Sequence, residues 1–194
     1  MRNKNTKSLV LHGLFVALIL LLGMTPLGLI PLGFINVTIL CIPVVVGTLY
    51  FGLGSGLLFG FCMASASILC LLGLSMTPPS TLGATLLAAN PLYAILMCLL
   101  PRLLIPVSTH FVYKLCSRKN PESKAGIIPA AIAGSLTNTV FYLGLMLLFY
   151  VLCGLDSKAI LGIIGGTGLI AGSMEALAAA LISTPVVLAL RKIK

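Results

Sequence analysis

The stretch Ile170–Val187 reads IAGSMEALAAALISTPVV and is almost entirely apolar or small, with Glu175 as its single charged residue. A run of this length and composition is typical of a helix that crosses a membrane, because a span requires about 20 mostly apolar residues. A carboxylate is costly in such a helix unless it has a partner or a function. The stretch therefore predicts a membrane helix, and Glu175 gives the first indication of a functional site.

The composition of the whole chain extends this prediction. The 194 residues are 59% hydrophobic and 8% charged, whereas soluble domains contain about 25% charged residues. The net charge of +9 does not indicate nucleic-acid binding, because the basic residues lie at the ends of apolar runs. We predict one integral membrane domain, residues 1–194.

The motifs of several enzyme and metal-binding classes are missing from the sequence. The six cysteines form no C-x-x-C pair, so neither a zinc site nor a disulfide framework is predicted. No Walker A motif, H-E-x-x-H or G-x-S-x-G occurs. We therefore predict a chain that is not an enzyme and that needs no metal or cofactor.

Six apolar segments predict an all-α bundle of six transmembrane helices. Only Gly52 and Leu53 separate the second and third segments, which predicts a tight hairpin in the membrane. The first segment is expected to be retained, because no signal-peptide cleavage site follows it. The predicted spans are about Leu9–Met24, Phe34–Phe51, Gly54–Leu74, Leu86–Tyr113, Gly126–Cys153 and Ala159–Leu190.

The basic residues predict the orientation of these spans. Ten of the 12 Lys and Arg residues fall on the side that carries both termini, which the positive-inside rule assigns to the cytoplasm. Two external connections, Thr25–Gly33 and Ser75–Thr85, are uncharged and rich in Pro and Gly. They are expected to fold back as lids over a cavity.

Three polar residues lie deep in the last three spans: Arg102, Asn138 and Glu175. Arg102 precedes Lys114 by about 18 Å of helix, and the other two are predicted at a similar level on the outer side of the membrane. Charged residues in a span face the protein interior and indicate a site. A purely structural Arg102–Glu175 pair, or an interhelical hydrogen bond from Asn138, is the alternative. Pro101 favours the functional interpretation, because it leaves a backbone carbonyl without its helical partner beside Arg102.

Small residues repeat every four positions in two other spans. Gly13 and Ala17 do so in the first, and Gly56, Gly60 and Ala64 in the third. Such stripes allow close approach of another helix. That helix can belong to this chain or to a separate membrane subunit, and we assign all five residues as candidates for partner docking.

Four segments are similar to the substrate-binding S components of energy-coupling factor (ECF) vitamin transporters. They are TPLGLIPLGFINVTILCIPVVVGTLYFG at 25–52, PRLLIPVSTHFVYKL at 101–115, GSLTNTVFYLGLM at 134–146 and EALAAAL at 175–181. The similarity extends over nearly the whole chain. It implies a multi-pass protein of the bacterial cytoplasmic membrane that captures a vitamin from outside and associates with a transmembrane coupling subunit and two cytoplasmic ATPases.

The resemblance also implies roles for particular residues. A small-x-x-x-small motif on the first helix of the family contacts the coupling subunit, and Gly13 and Ala17 take that place here. The family's first external loop closes over the substrate, in agreement with the lid expected at Thr25–Gly33.

The first-loop and fifth-span segments are most similar to the pantothenate-type branch of the family. Arg102 can hold the carboxylate of pantothenate, and Asn138 and Glu175 can bind its amide and hydroxyls. Riboflavin and hydroxymethylpyrimidine-like vitamins stay open as substrates. An autonomous ion-coupled carrier and a membrane enzyme or assembly protein stay open as functions. The candidate substrate-binding residues are Arg102, Asn138, Glu175, Tyr142, Asn90 and Asn36.

Overall fold

The computed structural model describes residues 2–31, 36–117, 126–163, 166 and 168–193. In this part of the chain the structure consists of eight α-helices and one pair of short antiparallel strands, in which Leu29 pairs with Thr38 and Pro31 with Asn36. The elements in chain order are α1 (Arg2–Met24), β1 (Leu29–Pro31), β2 (Asn36–Thr38), α2 (Cys41–Phe51), α3 (Leu53–Leu71), α4 (Thr81–Ala89), α5 (Pro91–Cys116), α6 (Ile127–Leu152), α7 (Ser157–Ile163) and α8 (Leu169–Ile193).

The helices of this bundle that can span a membrane are α1, α3, α5, α6 and α8. These five helices of the described chain are long and apolar enough to cross a membrane, and α2 is a shorter apolar helix. At about 1.5 Å per residue, α2 is shorter than the hydrocarbon layer, which measures about 30 Å. The helical character is confirmed, while the count of six spans and the cytoplasmic termini remain predictions.

Helix α2 lies at the centre of the bundle. Nine consecutive residues from Cys41 to Leu49 are buried, and the helix packs against α1, α3, α5, α6 and α8. The predicted span Phe34–Phe51 is wrong at its start, because strand β2 forms part of that apolar run. The predicted tight connection to α3 is confirmed: Gly52, at φ 97°, is the single residue between the two helices.

The predicted span Leu86–Tyr113 is also wrong at its start, because the helix is interrupted at Asn90. The Asn90 side chain accepts hydrogen bonds from the amides of Leu92 (3.1 Å) and Tyr93 (3.5 Å), and Pro91 occupies the first turn of α5. Asparagine at the N-cap and proline directly after it form a strong helix start. Part of the expected lid at Ser75–Thr85 accordingly belongs to α4.

The last predicted span, Ala159–Leu190, consists of two helices, α7 and α8. The glycine-rich stretch GIIGGTG at 162–168 overlaps the end of α7 and leads up to α8. The fifth span agrees closely with its prediction: Gly126 and Cys153 are the residues that cap α6.

The two stripes of small residues have different surroundings. Gly56, Gly60 and Ala64 are buried in the chain. A β-carbon added at Gly56 would lie 2.9 Å from Pro106, and one at Gly60 would lie 2.7 Å from the Arg102 carbonyl oxygen. This face of α3 therefore packs against α5, and the docking role expected for these three residues is corrected. Gly13 and Ala17 on α1 are exposed.

A polar cavity as the candidate functional site

Two prolines in α5 determine the surroundings of Arg102. Pro101 has no amide hydrogen, so the carbonyl of Met97, four residues earlier, loses its helical partner. Arg102 Nη1 donates a hydrogen bond to this carbonyl at 3.3 Å. Pro106 removes the helical partner of the Arg102 carbonyl in the same way, and Gly60 of α3 packs closely against that carbonyl. The backbone carbonyl expected beside Arg102 is thus used by the Arg102 side chain itself.

The guanidinium of Arg102 stacks on an aromatic ring and keeps unused donor capacity. Its central carbon lies 4.6 Å from the centre of the Tyr142 ring, within the range of about 6 Å for a cation–π contact. Arg102 is 6% exposed, and its Nε atom has no hydrogen-bond partner among the described residues. Arg102 is therefore a buried cation that can still donate to an anion.

Glu175 joins three elements through its two carboxylate oxygens. Oε1 accepts a hydrogen bond from the Thr38 backbone amide at 2.7 Å, and Oε2 accepts one from the Thr139 hydroxyl at 3.1 Å. The carboxylate thereby connects α8 to strand β2 and to α6. Within the described chain, these contacts and those of Arg102 leave the two residues without a direct ion pair.

Asn138 on α6 provides a second unused polar group. Its side chain is 3% exposed, and its Oδ1 atom has no hydrogen-bond partner among the described residues. Leaving a buried acceptor unsatisfied costs about 1–3 kcal/mol. A buried group of this kind calls for an explanation, and a bound ligand that donates a hydrogen bond is one.

These side chains line a small cavity, which we call cavity A. Its volume is about 30 Å³, whereas ligand pockets typically measure about 300–1,000 Å³. A vitamin therefore requires movement of the walls. Cavity A is lined by Thr38, Arg102, Asn138, Thr139, Tyr142, Leu143, Gly168, Ala171, Gly172 and Glu175.

A second cavity, cavity B, shares Arg102 and Tyr142 with cavity A. Its volume is also about 30 Å³, and its other lining residues come from α3, α5 and the segment before α4. They are Ser67, Cys70, Leu71, Pro79, Ser80 and Cys98.

The structure brings together four of the six candidate residues. Arg102, Asn138, Tyr142 and Glu175 all line cavity A. Asn90 instead caps α5 and is absent from the lining of both cavities. The side chain of Asn36 lies outside the part of the chain that the structure describes.

Sequence reasoning missed two residues that contact Glu175. Thr139 follows Asn138 directly, and this adjacency is a signal that could have identified it. Thr38 contributes its backbone amide, which every residue except proline possesses. No side-chain pattern could have predicted that contact.

The chain is similar to known proteins in sequence and in fold. The sequence matches the family described as "ECF transporter, substrate-specific component" over residues 7–190. None of the curated proteins compared with it matches. Among solved structures, a crystal structure of "the S-component for biotin from an ECF-type ABC transporter" is similar in fold, with a TM-score of 0.63 and 18% sequence identity over 99% of this chain and 94% of that one.

Proposed function

Because the chain belongs to the family of ECF transporter substrate-specific components, we propose that it is the vitamin-binding subunit of an ATP-driven importer whose substrate carries a carboxylate. As a member of this family it is a transport subunit and not an enzyme. ATP hydrolysis belongs to its partners, in keeping with the missing Walker A motif.

The observation that carries this proposal is a pair of unsatisfied polar groups in one cavity wall. Arg102 Nε and Asn138 Oδ1 are both buried without a partner among the described residues, and both side chains line cavity A. A carboxylate can accept from the guanidinium, while an amide or hydroxyl hydrogen of the substrate can be donated to Asn138. A ligand with both groups satisfies both residues.

Pantothenate and biotin both have this combination of groups. Pantothenate carries a carboxylate, an amide and two hydroxyls, and it is the substrate that we propose first. Biotin carries a carboxylate and a ureido ring, and it is the ligand named for the solved protein of similar fold. Riboflavin and hydroxymethylpyrimidine have no carboxylate and leave the buried cation without a counterion, so they rank below both.

The exposed face of α1 supports a docking site for the coupling subunit. Gly13 has no atom within 4 Å of an added β-carbon. The surrounding side chains of Leu9, Val10 and Leu14 are 61–74% exposed. We propose that this face contacts the coupling subunit in the bacterial cytoplasmic membrane, with both termini in the cytoplasm beside two ATPases.

Native mass spectrometry of the purified chain, followed by titration calorimetry, tests the substrate. We expect a retained small molecule, and tight binding of pantothenate or biotin in preference to riboflavin and hydroxymethylpyrimidine. Failure of both carboxylates to bind would contradict the proposal.

Transport in vesicles tests the mechanism against an autonomous carrier. We expect uptake only when the coupling subunit, both ATPases and ATP are present together with the chain. Robust accumulation by the chain alone, driven by an ion gradient, would show that it works as a secondary carrier.

A further inference from the structure

Cavities A and B are separated by a wall made of two side chains. Arg102 and Tyr142 line both cavities, and they stack on one another at 4.6 Å. Among the described residues, the polar contact that keeps the guanidinium in this position is the 3.3 Å hydrogen bond to the Met97 carbonyl. We expect movement of the Arg102 and Tyr142 side chains to open a path between the two cavities.

The two cavities differ in charge. Cavity A contains the Glu175 carboxylate, which repels an anion strongly in a low-dielectric interior. The described lining of cavity B contains Arg102 and no acidic residue. Ser80 and Tyr142, which also belong to that lining, hydrogen-bond each other through their hydroxyls, and this leaves one hydroxyl hydrogen of the pair for a carboxylate.

We propose that cavity B is the carboxylate subsite of the substrate cavity. The anionic end of the ligand lies in cavity B against Arg102, and its neutral, hydrogen-bonding body lies in cavity A against Asn138 and Glu175. The inference rests on the proposed function and narrows the substrate class. The expected substrates are elongated molecules with one carboxylate at one end and a polar, uncharged group at the other. The linker between the two ends passes from cavity B to cavity A.

Occupancy of cavity B is tested with a matched pair of variants on α3. Ser67 is buried and lines cavity B, while Ser65 is not part of either lining. Each hydroxyl donates to the carbonyl four residues earlier at 3.0 Å. We expect Ser67→Leu to weaken pantothenate or biotin binding by about tenfold or more in calorimetry, and Ser65→Leu to leave it within about twofold.

A measurement on the unmodified chain covers the case in which Ser67→Leu does not fold. Cys98 lines cavity B and is 4% exposed, while Cys116 on the same helix is exposed. Bound pantothenate or biotin should slow modification of Cys98 by methyl methanethiosulfonate and leave Cys116 unchanged. An unchanged rate at Cys98, or a well-folded Ser67→Leu variant that binds normally, would overturn the inference.

The orientation of the ligand is tested with acids and their neutral analogues. We compare pantothenate with panthenol, and biotin with biotin amide, on the wild type and on Glu175→Gln. With the acid in cavity B, the preference for acid over neutral analogue should change by less than about threefold. A rise of about tenfold or more in Glu175→Gln would place the carboxylate beside Glu175 and overturn the proposal.

The two proposals fail in different ways. If the wild type binds neither acid, both the proposed function and this inference are overturned. If the wild type binds an acid tightly and a well-folded Ser67→Leu variant binds it with the same affinity, this inference alone is overturned.

Discussion

At Arg102, two prolines and one aromatic ring determine what a buried cation can do. Pro101 leaves the Met97 carbonyl without a helical partner, and this carbonyl accepts a hydrogen bond from Arg102 Nη1. The Tyr142 ring covers one face of the guanidinium. Nε remains without a partner in the described chain. A cation in this state has been desolvated already, so the desolvation that opposes its charge-assisted hydrogen bond with an incoming carboxylate is mainly that of the carboxylate.

Replacement of Arg102 tests this interpretation. We expect Arg102→Ala to weaken pantothenate or biotin binding by about tenfold or more, which corresponds to about 1.4 kcal/mol, and to affect panthenol or biotin amide much less. Arg102→Lys should give an intermediate loss, because it keeps the charge but loses the planar fork. Calorimetry on detergent-purified protein measures both effects.

The control for this prediction is Arg191→Ala at the far end of α8. Arg191 donates to the Tyr113 hydroxyl at 2.7 Å and lines neither cavity, so ligand binding should be retained. Equal affinity of wild type and Arg102→Ala for the acid would mean that the cation only braces the bundle.

On the scale of elements, the Glu175 carboxylate connects strand β2 of the hairpin β1–β2 to α8 and α6. The Thr38 amide at the end of β2 donates to Glu175, and Thr139 of α6 holds the other oxygen. Strand β1 belongs to the uncharged connection Thr25–Gly33 that is expected to act as a lid, and β2 follows that connection in the chain. Glu175 thus joins β2, the strand paired with β1 of the expected lid, to the two helices that carry most of cavity A.

Removal of this attachment should loosen the hairpin. We expect Glu175→Ala to increase hydrogen exchange at the Thr38 amide by about tenfold or more, because a hydrogen bond to a charged group contributes about 1.5–3 kcal/mol. Glu175→Gln should show a smaller increase, since its amide oxygen can still accept from Thr38. Exchange measured by mass spectrometry on the ligand-free chain tests this order.

Thr139→Val is the matched control, because it removes one hydrogen bond of Glu175 and leaves the Thr38 contact in place. Its effect on exchange at Thr38 should be smaller than that of Glu175→Ala. Unchanged exchange in Glu175→Ala would show that other contacts hold the hairpin.

On the scale of the whole molecule, the two stripes of small residues face opposite surroundings. The stripe on α3 is buried against α5, so that its glycines bring that helix close to the Arg102 backbone. The stripe on α1 faces outward. A membrane protein exposes such a face to lipid or to another subunit, and small residues favour a subunit.

Substitution at Gly13 separates docking from ligand binding. Gly13→Leu should retain vitamin binding, because no atom of the chain lies within 4 Å of its β-carbon, and should weaken assembly with the coupling subunit by about tenfold or more. Ala17→Leu should behave in the same way. Co-purification with the coupling subunit, and uptake by the full complex, are the measurements.

Gly144→Leu is the control for added bulk on an outward-facing helix. Gly144 on α6 also has no atom within 4 Å of its β-carbon, and we expect it to face lipid. Normal assembly of Gly13→Leu, or an equal loss in Gly144→Leu, would contradict docking on α1.

The sequence by itself determined that the chain is a helical membrane protein and that Arg102 and Asn138 are buried, because hydropathy and the cost of charge in lipid act on each residue locally. It predicted α6 within a residue at each end, and Arg102, Asn138 and Glu175, which it selected as candidates, line one cavity. It failed at Asn90, where a cap interrupts a run that remains apolar, and it did not divide the last run into α7 and α8.

Only the tertiary structure decided how those residues are used. The contact from the Thr38 amide to Glu175 joins positions far apart in sequence, and it depends on a backbone group that leaves no mark in the amino-acid pattern. The amino-acid pattern also leaves no mark of the stacking of Arg102 on Tyr142 between the cavities. Nor does it show that the small-residue stripe on α3 is buried while the stripe on α1 is exposed. Such features depend on which helix packs against which, and apolar helices of similar composition do not encode that choice in their hydropathy.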